Sequence, residues 1–171
     1  NYLSGGLGAD TMKGNDGDDT YYVDSIYDVV IETNATRATG GTDNIVSSVS
    51  YTLAANFENI LLSGTDAITG IGNLDANYIE GNAAINYFAG GLGADTLKGN
   101  EGSDTFVYFS ITETPTGAGS RDVIVDFNHA QGDKIDLSAI DSNTTLANDQ
   151  AFSYIAAAAF SAAGQLRLVG D

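Results

Sequence analysis

Residues 90 to 98 read Gly-Gly-Leu-Gly-Ala-Asp-Thr-Leu-Lys, and residues 99 to 107 follow without a gap as Gly-Asn-Glu-Gly-Ser-Asp-Thr-Phe-Val. Both fit one nine-residue frame, G-[GN]-x-G-x-D-x-U-x, in which U is a large apolar residue. Six residues rich in glycine form a tight turn through positive φ angles, and the last three form a short strand. Turn and strand then alternate along the chain. The carbonyls of each turn and the carboxylate of Asp95 or Asp104 converge on one point, and an all-oxygen donor set suits a hard cation, calcium before others. Leu97 and Phe106, two places after each Asp, point inward between two thin sheets.

The frame recurs near the start of the chain. Residues 5 to 13 nearly repeat residues 90 to 98, with Asp10 in the acid place and Met12 in the apolar one. Residues 14 to 22 give a second copy with Asp19 and Tyr21. Residues 23 to 31 give a weaker third, in which Asp28 and Val30 hold their places without the glycines and Asp24 stands as an extra ligand. Two later turns, at 72 to 77 and 81 to 86, carry Asn77 and Asn86 where the acid belongs. An amide either offers its carbonyl oxygen to an ion or closes the turn by hydrogen bonds, so these are weak half-sites or metal-free turns with an Asn ladder. Their inward residues, Ile79 and Phe88, keep the strand rhythm. Residues 45 to 53 and 59 to 63 are rich in β-branched and apolar residues and read as strands of wider coils. Residues 33 to 42 read as an exposed loop.

These nonapeptides resemble the RTX calcium-binding repeats, which form parallel β-rolls. In such a roll two nonapeptides complete one coil, so turns two repeats apart stack on the same edge: 5–10 on 23–28, 72–77 on 90–95, and 81–86 on 99–104. The resemblance implies several calcium ions. Side-chain ligands would be Asp10, Asp19, Asp24, Asp28, Asn77, Asn86, Asp95 and Asp104. Backbone carbonyls would come from Gly6, Gly8, Asn15, Gly17, Gly91, Gly93, Asn100 and Gly102, with Asn73 and Asn82 in the matching places of the two departing turns. The run from Phe57 to Ile60 before a glycine looks like the linking coils between RTX blocks. Residues 121 to 127 and 132 to 141 resemble the end of the RTX region in serralysin-type secreted metalloproteases and other type I secreted proteins, which implies that Asp122 closes the last calcium site.

The expected fold is therefore all-β, a parallel β-roll or β-helix solenoid with calcium-binding Gly-Asp turns and a C-terminal β cap. Residues 1–31 form a first block, 32–71 linking coils, 72–107 a second block and 108–171 the capping segment, where the Ala156 to Ala159 run is also compatible with a helix. The first four residues look like the tail of a preceding repeat, and the family pattern implies a strand or two beyond Asp171, so a larger parent protein is expected.

Composition narrows the function. The chain of 171 residues has no cysteine, so disulfides contribute nothing, and its 23 acidic against 6 basic residues give a formal net charge of −17. Carboxylates recurring at fixed offsets oppose compaction until counter-charge arrives. The lack of a basic patch argues against nucleic acid, and no run of about 18 apolar residues predicts a membrane span. The single histidine, His129, reads as a loop residue and supplies neither a catalytic zinc centre nor a triad, so no catalytic residue and no enzyme activity are expected. By resemblance, the chain is a secreted or cell-surface module that folds on calcium after passing the type I secretion apparatus and supports an upstream domain. A rival reading is an adhesive or surface-assembly module, which a broad exposed aromatic patch on residues 45 to 62 would favour. A carbohydrate-active β-helix enzyme is a third, disfavoured by the few scattered Lys and Arg.

Overall fold

The structure, a computed structural model, describes residues 1–34, 40–113, 119–141, 153–154 and 165–166. Its strands are two to four residues long: β1 Tyr2–Ser4, β2 Thr11–Lys13, β3 Thr20–Val23, β4 Val29–Ile31, β5 Asn44–Ser47, β6 Tyr51–Thr52, β7 Asn59–Leu62, β8 Thr69–Ile71, β9 Tyr78–Glu80, β10 Tyr87–Ala89, β11 Thr96–Lys98, β12 Thr105–Val107, β13 Val123–Ile124, β14 Lys134–Asp136, β15 Ser153–Tyr154 and β16 Gln165–Leu166. Among the described residues every pairing is parallel. One sheet runs β1-β3-β5-β7-β9-β11-β13, and the opposite wall is made of β2-β4 and the five strands β6-β8-β10-β12-β14. Successive strands thus alternate between walls, and the chain coils as a solenoid. The all-β expectation holds, and among the described residues no helix is long and apolar enough to cross a membrane. The Ala156 to Ala159 run lies outside the described residues.

Register sets the length of each coil. In the long sheet, Tyr2 pairs with Thr20, Thr20 with Asn44, Asn44 with Asn59, Asn59 with Tyr78, Tyr78 with Thr96 and Thr96 with Val123, so the coils advance 18, 24, 15, 19, 18 and 27 residues. Steps of 18 occur where two nonapeptides complete a coil. The expectation of uniformly wider linking coils is corrected: one is wider and the next is narrower. The narrow coil arises because residues 45 to 53 do not form one strand. Ser47 folds back on Val49, donating to its carbonyl (2.7 Å) and accepting its N–H (3.2 Å), and this corner sends β5 to one wall and β6 to the other. The expected strand at 121–127 is likewise short, since only Val123 and Ile124 pair.

The interior is one residue thick from each wall. Met12, Tyr21, Val30, Ile79, Phe88, Leu97 and Phe106, the apolar places of the frame, are all buried, joined by Ile45, Phe57 and Ile60 from the linking coils. Aromatic rings carry much of the contact: Tyr21 meets Phe57 edge-on at 5.6 Å, and Phe88 stacks on Phe106 at 5.3 Å. Each fully buried side chain of this kind contributes about 1.5–3 kcal/mol. Gly70 takes an inward place on β8 because Ile79 and Leu62 already fill the space, and a Cβ there would lie 3.0 Å from Ile79 Cγ2.

Candidate metal centres

The residue just before each strand forms a ladder along the solenoid edge. On one edge the Asp19 N–H donates to Asp43 Oδ1 (2.9 Å), Asp43 N–H to Glu58 Oε2 (2.8 Å), Asn77 N–H to Asp95 Oδ1 (2.8 Å) and Asp95 N–H to Asp122 Oδ1 (3.0 Å). On the other, Asp10 N–H donates to Asp28 Oδ1 (3.1 Å), Asn86 N–H to Asp104 Oδ1 (2.8 Å) and Asp104 N–H to Asp133 Oδ1 (3.0 Å). The turns expected to stack do so: 5–10 on 23–28, 72–77 on 90–95 and 81–86 on 99–104. Each acid thus uses one oxygen to hold the preceding coil.

The second oxygen is a different matter. Asp10 Oδ2, Asp19 Oδ2, Asp95 Oδ2 and Asp104 Oδ2 are buried and accept no hydrogen bond. They lie against the first glycine of their own turns, where a Cβ would fall 2.4 Å from Asp10 Oδ2 at Gly5, 2.1 Å from Asp19 Oδ2 at Gly14, 2.3 Å from Asp95 Oδ2 at Gly90 and 2.4 Å from Asp104 Oδ2 at Gly99. Glycine is required there by space. At the second and fourth places it is required by conformation: Gly6, Gly8, Gly17, Gly91, Gly93 and Gly102 have positive φ, and Asn15 (φ 70°) and Asn100 (φ 68°) join them. In the second block the coil before supplies oxygen to the same places, with Asn73 O, Asp75 O and Ala84 O within 2.5 Å of where Cβ atoms of Gly91, Gly93 and Gly102 would stand.

Burial makes charge costly at these sites. Desolvation pushes the Asp95 carboxyl up to about 6, opposed by the Asn77 N–H and reinforced by the charges of Asp122 and Glu113. Desolvation also lifts Asp104 to about 6 against the Asn86 N–H, with Asp133 and Asp126 adding to the rise. Asp43 rises to about 6 by burial in the same way, and Asp122 rises chiefly by desolvation. Buried carboxylate oxygens without a donor, beside carbonyls that glycine leaves room to approach, are a donor set that fits a hard divalent cation.

The remaining expected ligands are placed unequally. Asp28 accepts the Asp24 and Ser25 N–H groups (both 3.2 Å) as well as that of Asp10, while Asp24 itself is exposed. The two Asn turns spend their amides on hydrogen bonds. Asn77 Oδ1 accepts the Asn73 N–H (2.8 Å) and its Nδ2 donates to Phe57 O (3.0 Å); Asn86 Oδ1 accepts the Asn82 N–H (3.0 Å) and its Nδ2 donates to Ile68 O (3.0 Å). Asn73 and Asn82 donate back to Ala54 O (2.7 Å) and Asp66 O (2.9 Å). Sequence reasoning missed Glu32, Asp43, Glu58, Asp126 and Asp133. Asp126 takes the N–H groups of Gly99 (2.9 Å) and Asn100 (2.7 Å), and Asp133 also accepts from Asn128 (2.8 Å). The signal that finds three of them is an acid directly before a short β run, as Asp43, Glu58 and Asp133 are.

Comparison with known families agrees with the geometry. The family model described as Peptidase M10 serralysin C terminal matches residues 22–168, and that described as RTX calcium-binding nonapeptide repeat (4 copies) matches residues 1–27. No curated protein matches the chain. RTX nonapeptides are calcium binders, and both matched regions are parts of type I secreted proteins. The chain belongs to the serralysin C-terminal family and is a calcium-binding RTX module of a type I secreted protein.

Proposed function

We propose that the chain is a calcium-triggered folding module that stays expanded during export and closes into the solenoid outside the cell, where it stabilises a domain upstream in the same polypeptide. The observation that carries this reading is the row of buried carboxylate oxygens with no hydrogen-bond donor, Asp10, Asp19, Asp95 and Asp104, in a chain of formal net charge −17. Without counter-charge, each such oxygen opposes burial, and a core one residue thick offsets little of that cost. Bound calcium supplies the missing charge and the oxygen coordination. Asp10 with Asp28, Asp95 with Asp122, and Asp104 with Asp133 would hold ions by their carboxylates, and the carbonyls of Gly6, Gly8, Asn15, Gly17, Gly91, Gly93, Asn100 and Gly102 would complete the shells. The turns around Asn77 and Asn86 hold their coils by amide hydrogen bonds and lend backbone oxygen to the ions bound by the next coil.

Sites of this kind, with dissociation constants on the order of 10⁻⁴ to 10⁻³ M, fill at extracellular calcium and empty in the cytosol, which separates export from folding. The chain contributes no catalytic residue in this reading; any chemistry belongs to the upstream domain. The adhesive alternative draws no support, because none of the exposed large apolar side chains falls between residues 45 and 62. The test is circular dichroism and small-angle scattering in chelator and in millimolar calcium. The reading expects an expanded, strand-poor chain that contracts into a β-fold on calcium addition; a compact β-spectrum already present in chelator would overturn it.

A further inference from the structure

Where the first nonapeptides meet the wider coil, the ladder changes character. β2 pairs with β4 as Thr11 with Val29, Met12 with Val30 and Lys13 with Ile31, so the next residues, Gly14 and Glu32, hold equivalent places in consecutive coils. Gly14 opens its turn with no side chain, because Asp19 Oδ2 occupies that space. Glu32 opens the next turn with a carboxylate. Its Oε1 accepts the N–H groups of Thr33 (2.6 Å) and Asn34 (2.8 Å), which fixes the side chain, and its Oε2 is buried and accepts no hydrogen bond. Glu32 is 8% exposed, and Asp19 and Asp43 are 1% exposed.

Oxygens of Asp19, Glu32 and Asp43 lie within 4.8 Å of one another, and among the described residues this is the one group of three acids so arranged. Oxygens bound to one calcium at 2.3–2.6 Å stand at most about 5 Å apart, so a single ion reaches all three. Asp19 Oδ2 and Glu32 Oε2 both lack a donor, while Asp19 spends Oδ1 on the amino group of Asn1 (2.6 Å) and Asp43 spends Oδ1 on the Asp19 N–H. Elsewhere on the ladder two acids meet, or one acid meets an Asn; here three buried acids converge, held by backbone hydrogen bonds on either side. Affinity for calcium rises with the charge count and rigidity of the site.

We propose that Glu32, Asp19 and Asp43 form a carboxylate-rich calcium site at this junction, distinct from the Gly-Asp repeat sites in using Glu32 where the repeat has glycine, and that it is the tightest site on the chain and the first to fill. Filling it closes the widest gap in the first half of the solenoid, the 24-residue step from Thr20 to Asn44. The first ion therefore ties the opening nonapeptides to the linking coils before the repeat sites fill. The inference rests on the calcium-folding reading and adds an order of events to it.

Calorimetric calcium titration of the whole chain tests it, comparing wild type with Glu32→Gln, and with Glu32→Gly, which restores the glycine that Gly14 holds in the coil before. Wild type is expected to show one step at least tenfold tighter than the rest, lost in both variants while the weaker steps persist. Tyr21, whose hydroxyl accepts the Gly14 N–H (2.8 Å) on the same edge, gives a readout on the unaltered site: terbium bound first should be excited through it, and Tyr21→Phe should remove that emission. A tight step that survives in both Glu32 variants, an isotherm of equal sites in wild type, or early terbium emission indifferent to Tyr21→Phe overturns the proposal, the last even if the Glu32 variants fail to fold. Each of those results leaves calcium-dependent folding standing, whereas a wild-type chain that takes up no calcium sinks the folding reading itself.

Discussion

Asp104 and Asn86 hold the same place in consecutive coils, and the contrast shows what a charge at that place does. Asn86 satisfies both ends of its amide within the solenoid, whereas Asp104 keeps Oδ2 buried with no donor. Asp104→Asn should therefore stabilise the chain in chelator by about 1 kcal/mol, since a satisfied amide replaces an unsatisfied charge. The same change should raise the calcium needed for folding several-fold, and thermal unfolding in chelator beside a calcium titration reads both. Gly90→Ala should push Asp95 out of its turn and blunt the calcium response, while Gly64→Ala, where a Cβ meets nothing within 4 Å but φ is +77°, should cost about 1 kcal/mol and leave that response unchanged. Asp10, Asp19, Asp95 and Asp104 were legible in the sequence because they recur at a fixed offset from glycine. Glu32 was not, because the segment it opens is longer than a repeat and carries no fixed offset to read, and Asp43 is marked only by its place directly before a β run.

At the scale of strands and edges, the inward residues keep the walls in register, and in the proposed function the acids set the conditions under which the walls close. Leu97→Ala, at a position fully buried between Ile79 and Ile124, should cost about 2–5 kcal/mol with calcium present, measured by chemical unfolding. The pH response in chelator follows from Asp43, Asp95 and Asp104, whose carboxyls are raised from 3.8 to about 6 in the fold. The folded chain holds those protons more firmly than the unfolded chain. Their contribution is complete below the ordinary carboxyl range and disappears as pH rises through about 6. The metal-free chain should then show more β-structure near pH 5 than near pH 7.5, and a circular dichroism series showing the reverse would contradict the placement of these acids. Strand positions in the repeats were legible from the apolar place of the frame. The corner between β5 and β6 was hidden, because residues 45 to 53 have the composition of one long strand and the corner is marked by a local bond, the Ser47 hydroxyl turning onto Val49.

Across the whole molecule, a slender core and two acidic edges stand in opposition, and the sequence carries few cations to settle it. Among the described residues two ion pairs are formed, the amino group of Asn1 with Asp19 Oδ1 at 2.6 Å and Lys98 with Glu80 at 2.7 Å, the latter on the outer face of the long sheet. The solenoid class was legible because the repeat fixes both turn and strand; the coil lengths between the repeat blocks were not, because they depend on which short segments find a wall to pair with. The proposed folding switch requires divalent ions between stacked edge turns, against Oδ2 of Asp95 and of Asp104, which no donor reaches. Anomalous scattering from crystals grown in calcium measures this directly. Peaks are expected within about 2.3–2.6 Å of carboxylate oxygens of Asp95 and Asp104, each shared with backbone carbonyls; ordered water alone at those places, in a chain that is nonetheless folded, would rule out ion binding there.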